Sequence, residues 1–504
     1  MKYTVLDFLE ETSRNYPDKI AFSDINKSVT WEEFVTNSKR KAIFICEHYK
    51  AGTAVPVMLD KSVETLEFFF GAIYSGCFYS FFDSSFPESR LQSMAKTLGV
   101  SSIVSTKKNE KKITLLSNVT GLFVEEICCT KQIDEQILNK RRKSIIDTDP
   151  VYANFTSGTT GIPKAVLVNH KNIIDFMTCF TDLFNINSED NIANQAPFDF
   201  DVSVKDIFSA VWTGATVHLV PKMFFSFPTK LLDFLQEREI TTLIWAVSAL
   251  CIISTLDGFS YKIPSKIRKV LFSGEVMPLK HLKIWKRNIP NSMYVNLYGP
   301  TEITCNCTYF ILPDVIPEEY ELPIGQSFPN ERVFLLSDKG EIIDEANVTG
   351  ELCVSGSCVS LGYFNNPKTQ EVFSQNPAND NFFERVYHTG DLAKYGNDGL
   401  LYYCGRKDFQ IKHMGHRIEL NEIETALEKD ALITRSCCLF IDNKIIAFYS
   451  GKEKDSKDFV KELKLCLPVY MIPSSFVFID NMPITKNGKI DRKHLENIYL
   501  VKGK

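Results

Sequence analysis

The stretch from Thr53 to Ser105 limits the fold of this chain more than any other, because apolar runs alternate in it with amphipathic segments. It reads "TAVPVMLDKSVETLEFFFGAIYSGCFYSFFDSSFPESRLQSMAKTLGVSSIVS", a succession typical of parallel strands joined by crossover helices. The same alternation returns after His170 in "ATVHLV", "TKLLDFLQERE", "TTLIWAV" and "RKVLFSGE". We therefore predict the α/β fold class, with a second sheet or a second half of the same body.

The chain changes character beyond Glu321, where segments such as "GELCVSGSCVSLGYF" and "GLLYYCGRKD" become shorter and richer in glycine. This composition suits antiparallel strands and turns, so a β-rich subdomain is expected here. The segment "GRKDFQIKHMGHRIELNEIETALEKD" then runs through a short strand into a helix, and strand-like runs follow it. A chain of 504 residues is too long for one core. Residues 1–406 are predicted to form a large N-terminal body, and residues 407–504 a small α+β domain.

Charge and cysteine content exclude several classes of partner. The formal charge of -5 is small for this length, so we expect no nucleic-acid partner and no anionic membrane surface. The amino terminus does not resemble a signal peptide, and the apolar runs are too broken for a membrane span. We therefore expect a cytoplasmic protein. The 14 cysteines lack the paired spacing of a zinc site, which favours buried free thiols in a reducing compartment.

The stretch "NFTSGTTGIPKAVLVNH" crowds hydroxyls, glycines and a lysine between apolar runs. Glycine lets backbone amides approach an anion, hydroxyls donate hydrogen bonds and Lys164 adds a positive charge. The pattern predicts a phosphate-binding loop, although a solvated Ser/Gly turn is the alternative. Pro163 precedes the lysine, so the Gly-Lys-Ser/Thr pattern of an ordinary P-loop NTPase is missing.

Two further stretches strengthen the phosphate interpretation. In "NLYGPTEIT", Tyr298 can stack on a nucleobase and Glu302 can hold the magnesium ion that accompanies a nucleoside triphosphate. In "YHTGDLAKY", Asp391 follows a glycine turn and can accept hydrogen bonds from ribose hydroxyls. Each stretch alone is compatible with a simple turn, but their combination and order indicate a nucleotide site.

Together with "GELCVSG", "GRKDFQIKHMGHRIEL" and "PITKNGKIDR", these stretches cover nearly the whole chain. The set resembles the adenylate-forming enzyme superfamily, which contains acyl-CoA synthetases, luciferases and the adenylation domains of nonribosomal peptide synthetases. The resemblance implies ATP and Mg²⁺ as cofactors and a small C-terminal domain that is mobile. It also implies two steps: a carboxylate attacks the α-phosphorus of ATP to give an acyl-adenylate and pyrophosphate, and a thiol then displaces AMP.

The resemblance also assigns roles to individual residues. Lys489, Glu302 and Thr301 are the expected catalytic residues, with Glu302 as the magnesium ligand; without the resemblance, Lys489 would read as a surface lysine in a basic tail. Asp408 matches the hinge, and Gly415 would face the site in the second step and leave room for a phosphopantetheine arm. The expected ATP-binding residues are Thr156, Ser157, Gly158, Thr159, Thr160, Gly161, Lys164, Ser273, Gly274, Glu275, Asn296, Leu297, Tyr298, Gly299, Thr301, Asp391, Arg406 and Lys489.

The segment "APFDFDVSVKDIF" bears on the substrate. Asp201 occupies the position at which amino-acid-activating members pair a carboxylate with the substrate's α-ammonium group, whereas the alternative is an aspartate that caps a helix beginning at Val202. The partners implied are an amino-acid substrate and a phosphopantetheinylated carrier protein. The expected substrate-binding residues are Asp201, Val202, Lys205, Leu250, Leu271, Ser273, Leu297 and Cys305.

The length, "FSGEVMP" and the absence of an attached carrier domain resemble the stand-alone D-alanine–carrier-protein ligases. Two positions depart from their pattern, since Ser273 stands where those ligases have a cysteine and Lys205 where they have an apolar side chain. Lys205 falls on the helical face of Asp201, which favours a substrate with a polar or acidic side chain. Alternatively, Lys205 pairs with Asp206 or extends to solvent. An acyl-CoA ligase and a catalytically idle binding protein stay open as other functions.

Overall fold

The computed structural model describes residues 3–126, 132–158, 162–367, 369–484 and 490–502. Thr159, Thr160 and Gly161 of the predicted phosphate loop lie outside the described residues, as does the predicted catalytic Lys489.

The first part of the chain alternates strands and helices as the sequence predicts. Thr30 caps α2 by accepting a hydrogen bond from the Glu33 amide at 3.2 Å, and Gly99 ends α4 in the left-handed conformation. The elements are α1 (Val5–Asn15), β1 (Ile20–Ser23), β2 (Ser28–Thr30), α2 (Trp31–His48), β3 (Ala54–Met58), α3 (Val63–Tyr74), β4 (Phe78–Phe81), α4 (Glu88–Leu98), β5 (Ser102–Ser105), the 3₁₀ helix Lys107–Asn109, α5 (Glu110–Thr114) and β6 (Thr120–Phe123).

The second part repeats this alternation. Its elements are α6 (Glu135–Ser144), β7 (Pro150–Thr156), β8 (Lys164–Asn169), α7 (His170–Leu183), β9 (Asn191–Asn194), α8 (Val202–Thr213), β10 (Thr216–Leu219), the 3₁₀ helix Lys222–Ser226, α9 (Pro228–Glu237), β11 (Thr242–Ala246), α10 (Val247–Thr255), α11 (Gly258–Tyr261), β12 (Lys269–Ser273), α12 (Leu279–Asn288), β13 (Met293–Tyr298), the 3₁₀ helix Thr301–Ile303 and β14 (Thr308–Ile311).

Strands dominate the next part, and the last part combines strands and helices. The elements up to Arg406 are β15 (Gln326–Ser327), β16 (Glu331–Leu336), β17 (Ile342–Ile343), β18 (Thr349–Gly356), β19 (Gly362–Tyr363), α13 (Thr369–Val372), β20 (Phe373–Gln375), β21 (Arg385–Tyr395) and β22 (Leu401–Arg406). The later ones are β23 (Gln410–His413), β24 (His416–Glu419), α14 (Leu420–Leu427), β25 (Ile433–Ile441), β26 (Lys444–Gly451), α15 (Ser456–Leu463), the 3₁₀ helix Val469–Met471, β27 (Ser475–Phe478) and α16 (Arg492–Lys502).

Two mainly parallel sheets carry the N-terminal part. One has the order β15-β14-β13-β12-β11-β9-β10-β1-β2, and its strands from β13 to β1 run parallel. The other has the order β19-β8-β7-β4-β3-β5-β6, with β7 and β8 antiparallel. A third sheet, β17-β16-β18-β21-β20 with β22 on β21, is antiparallel throughout. The predicted α/β class and β-rich region are therefore confirmed.

A single apolar cluster extends from Val5 to Leu401 and joins these three sheets. The residues after Arg406 form apolar clusters of their own, in which helix α14 and strands β25 and β26 bury residues such as Ile423, Cys438 and Ala447. The hairpin β23–β24 lies between the two parts of the chain and is the element that approaches the predicted nucleotide site. Among the described residues, no helix is both long and apolar enough to cross a bilayer.

Candidate active site

The predicted nucleotide residues gather at the carboxyl ends of neighbouring parallel strands. Strand β12 ends at Ser273 and β13 at Tyr298, and the two strands pair in parallel, so both end at the same edge. This edge of an α/β sheet is where ligands generally bind. The described ends of the predicted phosphate loop belong to the other sheet, where the antiparallel strands β7 and β8 pair Thr156 with Lys164. The Ser157 hydroxyl donates to the Arg417 carbonyl at 2.9 Å.

Glu302, the predicted magnesium ligand, is fully buried in the turn that follows β13. The Tyr363 hydroxyl donates to one carboxylate oxygen at 2.7 Å, and Arg417 Nη1 lies 2.7 Å from the other. Burial alone raises the pKa of Glu302, but the Arg417 charge and the Tyr363 hydroxyl hold it below its ordinary value. The Glu302 carboxylate is therefore ionised and already pairs with the Arg417 guanidinium. An ionised carboxylate is also a suitable ligand for Mg²⁺.

Asp391, predicted to bind ribose, lies on β21 directly opposite Arg406 of β22. Arg406 Nη1 is 2.6 Å from its carboxylate, and the Tyr298 hydroxyl donates to the same carboxylate. Arg406 also forms a fork with Asp408, the predicted hinge, at 2.6 and 2.8 Å. Gly390 has a φ of 72°, a left-handed conformation that favours glycine, and a Cβ there would lie 2.8 Å from the Arg406 guanidinium. The structure therefore brings Tyr298, Asp391, Arg406 and Asp408 together, and their roles stay predictions.

A cavity of about 1360 Å³ opens beside them. Its volume exceeds that of common small-molecule sites, which hold about 300–1,000 Å³, and it fits a nucleotide. The Lys412 ammonium, from the hairpin, lies 5.4 Å from the centre of the Tyr298 ring. The predicted ATP-binding residues that line this cavity are Gly274, Glu275, Asn296, Leu297, Tyr298, Asp391 and Arg406.

Asp201 lies immediately before helix α8 and is buried, but its side chain makes no capping hydrogen bond. The capping alternative is therefore wrong. Burial raises the pKa of Asp201, and a hydrogen bond from Thr301 and the charge of Lys205 oppose that rise. Asp201 and Thr301 line a second cavity of about 40 Å³, which the hairpin residues His416 and Arg417 close on one side. Asp201, the predicted partner of the substrate ammonium, and Thr301, which the resemblance assigns to the α-phosphate, therefore line one cavity.

Lys205 is fully buried, so the alternative in which it extends to solvent is wrong. Its ammonium donates to the Ser273 hydroxyl at 3.1 Å and to the Asn306 carbonyl oxygen at 2.8 Å. The nearby Asp206 instead accepts from Asn194 at 2.6 Å. Within the described part of the chain, Lys205 makes no ion pair with a carboxylate.

Asn306 is a residue beside Lys205 that sequence reasoning missed, because no motif marks it and only its contact with Lys205 reveals it. Cys305, next to it, donates through Sγ to the Asp201 carbonyl at 3.1 Å. The remaining predicted substrate-binding residues, Val202, Leu250, Leu271 and Leu297, are all buried.

The hairpin β23–β24 covers the site from the C-terminal side. Its turn contains Met414 and Gly415, both with positive φ, and the Gly415 amide donates to Glu275 at 2.9 Å. A Cβ on Gly415 would lie 3.5 Å from Phe200 and Ala246, so the backbone passes close to the core here. The sequence predicted one strand in this segment, and the structure has a hairpin.

The comparison with family models matches residues 9–364 to the AMP-binding enzyme family. Zwittermicin A synthase ZmaJ of Bacillus cereus is 32% identical over 511 residues, which covers 98% of this chain and 95% of that protein. A D-alanine–D-alanyl carrier protein ligase of Staphylococcus haemolyticus is 30% identical and covers 97% and 98% of the two chains.

The fold is also similar to that of an NRPS protein containing adenylation and PCP domains, solved in its holo form with a vinylsulfonamide inhibitor. The TM-score is 0.85 at 24% identity, over 98% of this chain and 84% of the other. The family match covers most of the chain, the 30% relative is aligned almost end to end, and seven of the expected ATP-binding residues line one cavity. The chain belongs to the AMP-binding enzyme family and is an adenylate-forming enzyme.

Proposed function

We propose that this adenylate-forming enzyme activates an amino acid and passes it to the phosphopantetheine thiol of a carrier protein. In the first step a substrate carboxylate oxygen bonds to the α-phosphorus of ATP, and the bond from that phosphorus to pyrophosphate breaks. In the second step the thiol sulfur bonds to the acyl carbon, the acyl–AMP bond breaks and the thiol proton leaves. The observation that carries the amino-acid assignment is the buried Asp201 carboxylate.

The reason lies in the energetics of Asp201. A buried carboxylate is unfavourable unless an opposite charge meets it in good geometry. The charges of Lys205 and Lys412 already act on Asp201, but the substrate's α-ammonium group would meet the carboxylate directly, which an acid without an amine could not do. Because Thr301 lines the same small cavity, an amino acid bound through its ammonium to Asp201 would direct its carboxylate towards the α-phosphate.

Other predicted site residues would support the first step by reducing the repulsion between the substrate carboxylate and the phosphates of ATP. Joining a carboxylate to a phosphate requires that repulsion be cancelled and that the reacting atoms be oriented. Glu302 would hold Mg²⁺, which when bound neutralises phosphate charge. Lys164 and the hydroxyls of Thr156 and Ser157 would contact the β- and γ-phosphates, and Lys489 the substrate carboxylate and the α-phosphate.

The position of the hairpin β23–β24 supports two domain arrangements, one for each of the two reaction steps. With Gly415 against Glu275 and Arg417 on Glu302, the arrangement described here fits the second, thiol-dependent step. We infer that residues 407–504 rotate about Asp408 relative to residues 1–406, and that rotation withdraws Arg417 so that Glu302 is available to the magnesium ion.

The carrier protein is inferred from the relatives. One of them is named a D-alanyl carrier protein ligase, and one similar structure contains a PCP domain beside its adenylation domain. A phosphopantetheinylated carrier is therefore the thiol to test first, with coenzyme A as the competing acceptor.

The substrate side chain is inferred from Lys205. The fully buried Lys205 ammonium donates to a hydroxyl and an amide oxygen and forms no ion pair with a carboxylate among the described residues, although its charge acts on Asp201 and Asp206. We infer that the preferred amino acid has a polar or acidic side chain that meets Lys205, rather than the methyl group of alanine.

The test is amino-acid-dependent exchange of labelled pyrophosphate into ATP, with each amino acid compared with the matching acid that lacks the amine. We expect exchange with the amino acid alone, and Asp201→Asn should reduce it. Thioester formation is then measured with a phosphopantetheinylated carrier and with coenzyme A. Exchange that is equally fast with the amine-free acids would contradict the amino-acid assignment, and a preference for coenzyme A would contradict the carrier assignment.

A further inference from the structure

We propose that Glu351, Cys353 and His388 form a binding site for a thiophilic divalent cation such as Zn²⁺. Glu351 and Cys353 lie on β18 and His388 on β21, where Cys353 and His388 are direct cross-strand partners. Their candidate ligand atoms all lie within 4.8 Å of one another. None of the three residues lines either cavity of the active site.

Two of the three separations are close to those of a tetrahedral metal site, and the third is within 4.8 Å. Cys353 Sγ lies 3.4 Å from His388 Nδ1, and the same nitrogen lies 3.7 Å from a carboxylate oxygen of Glu351. In a tetrahedral zinc site with Zn–S about 2.3 Å and Zn–N about 2.0–2.1 Å, ligand atoms are about 3.5 Å apart. One ion can therefore contact all three groups with small side-chain adjustments, and its fourth position would face solvent.

The imidazole can adopt the tautomer that a metal requires. His388 Nε2 lies 2.8 Å from the Ser374 hydroxyl oxygen, which accepts a hydrogen bond when Nε2 carries the proton. In that tautomer the Nδ1 lone pair, 3.4 Å from Cys353 Sγ, is available to a metal ion. Metal-binding histidines are typically oriented by such a bond from their other ring nitrogen.

The carboxylate is oriented in the same way. The Gly390 amide donates to Glu351 Oε1 at 3.0 Å and leaves Oε2 for the cation. Lys407 lies 3.3 Å from Oε2, but it also lies 3.1 Å from Asp338. The lysine can therefore stay paired with Asp338 when an ion takes Oε2.

Binding would change the protonation of the thiol. Burial raises the pKa of Cys353 above its ordinary value, so the thiol is protonated in the metal-free protein. On binding, the S–H bond breaks, a sulfur–metal bond forms, and the proton passes to solvent. The ion would then fasten β18 to β21 beside Gly390, the residue that precedes the predicted ribose-binding aspartate.

The test is titration of the full, chelator-treated chain with Co²⁺, whose bonds to thiolate absorb in the near ultraviolet. We expect a saturable band at one ion per chain that Zn²⁺ displaces. Cys353→Ser should abolish it, and the matched control Cys404→Ser, which changes the exposed cysteine of the neighbouring strand β22, should retain it. No band in the wild type, or an unchanged band in Cys353→Ser, overturns the proposal.

Because Cys353 is fully buried, its replacement could unfold the sheet and remove the band indirectly. Glu351→Gln and His388→Gln change partly exposed residues, and unaltered circular dichroism would verify their folding. Each should weaken Co²⁺ binding by roughly tenfold to a hundredfold and reduce the Zn²⁺-dependent rise in melting temperature. Wild-type affinity and an unchanged Zn²⁺-dependent rise in folded preparations of both variants would overturn the proposal.

Discussion

Glu302 and Lys205 are both buried charges of the active site, but their partners come from different parts of the molecule. Glu302 is paired with Arg417, which lies beyond the predicted hinge, whereas Lys205 donates to Ser273 and Asn306 of the N-terminal body. A partner on another domain can withdraw, and partners within one body cannot. On the function proposed above, Glu302 would therefore exchange one cation for another during the reaction, while Lys205 would stay in place to receive an anionic group.

The largest effect on activity is expected at Lys489, on the C-terminal side of the predicted hinge. Lys489→Ala should lower pyrophosphate exchange by orders of magnitude, because we expect this lysine to contact the reacting carboxylate and the α-phosphate in the first step. Thioester formation from supplied aminoacyl-adenylate should persist, since the lysine would have left the site with the rotating domain. Normal exchange in the variant would show that Lys489 is a surface lysine.

Arg417→Gln tests the proposal that Arg417 pairs with Glu302 in the second step, in place of the magnesium ion of the first step. Removing one member of a buried ion pair costs about 3–5 kcal/mol because the other charge is left uncompensated. We expect thioester formation from supplied adenylate to fall by roughly two orders of magnitude, while pyrophosphate exchange changes much less. The control is Arg435→Gln, an exposed arginine on β25. Equal loss of both half-reactions would mean that the arrangement with Arg417 on Glu302 has no special role in the second step.

Lys205→Met tests whether the buried Lys205 ammonium binds an acidic side chain of the substrate. Amino acids with acidic side chains should lose about 1–3 kcal/mol of transition-state binding, or roughly 5- to 150-fold in exchange activity, while alanine loses less. The matched control is Lys230→Met, an exposed lysine in α9. An unchanged order of preference among amino acids would contradict the acidic-substrate inference and leave the enzyme class intact.

The same contrast explains how much the sequence could predict. Local patterns correctly predicted helix α8 from Val202 and the α/β alternation, because apolar periodicity and glycine turns act over a few neighbouring residues. The motif residues Tyr298 and Asp391 were also correctly brought together.

Long-range partners were not predicted. Arg417 is 115 positions from Glu302, and Asn306 is 101 positions from Lys205. Cys353 meets His388 only through strand register, 35 positions along the chain. Docking of domains and pairing of strands decide these contacts, and no local pattern of residue types encodes either of them.

The smallest expected effect is a pH dependence of thioester formation. It arises where the hairpin β23–β24 contacts the N-terminal body. The ring centre of His416 lies 6.0 Å from that of Phe200 in the N-terminal body, and burial lowers the pKa of His416 to about 4 from an ordinary value of 6.5. The charged and titratable groups that act on it are Lys222, Asp83, Arg90 and His413. When the hairpin withdraws, the pKa should return towards its ordinary value. Between these two values only the withdrawn state binds a proton, so acid favours withdrawal.

The rate of thioester formation, divided by the rate of exchange, should therefore fall by a few-fold as the pH is lowered from about 7 to about 5. His416→Gln should flatten this dependence. Burial raises the pKa values of Glu275 and Glu422 at the same contact, which acts in the opposite direction. Because both carboxylates are present in both proteins, the difference between wild type and variant isolates the histidine. Identical pH profiles for the two proteins would show that His416 stays neutral in both arrangements and does not couple protonation to the movement of the hairpin.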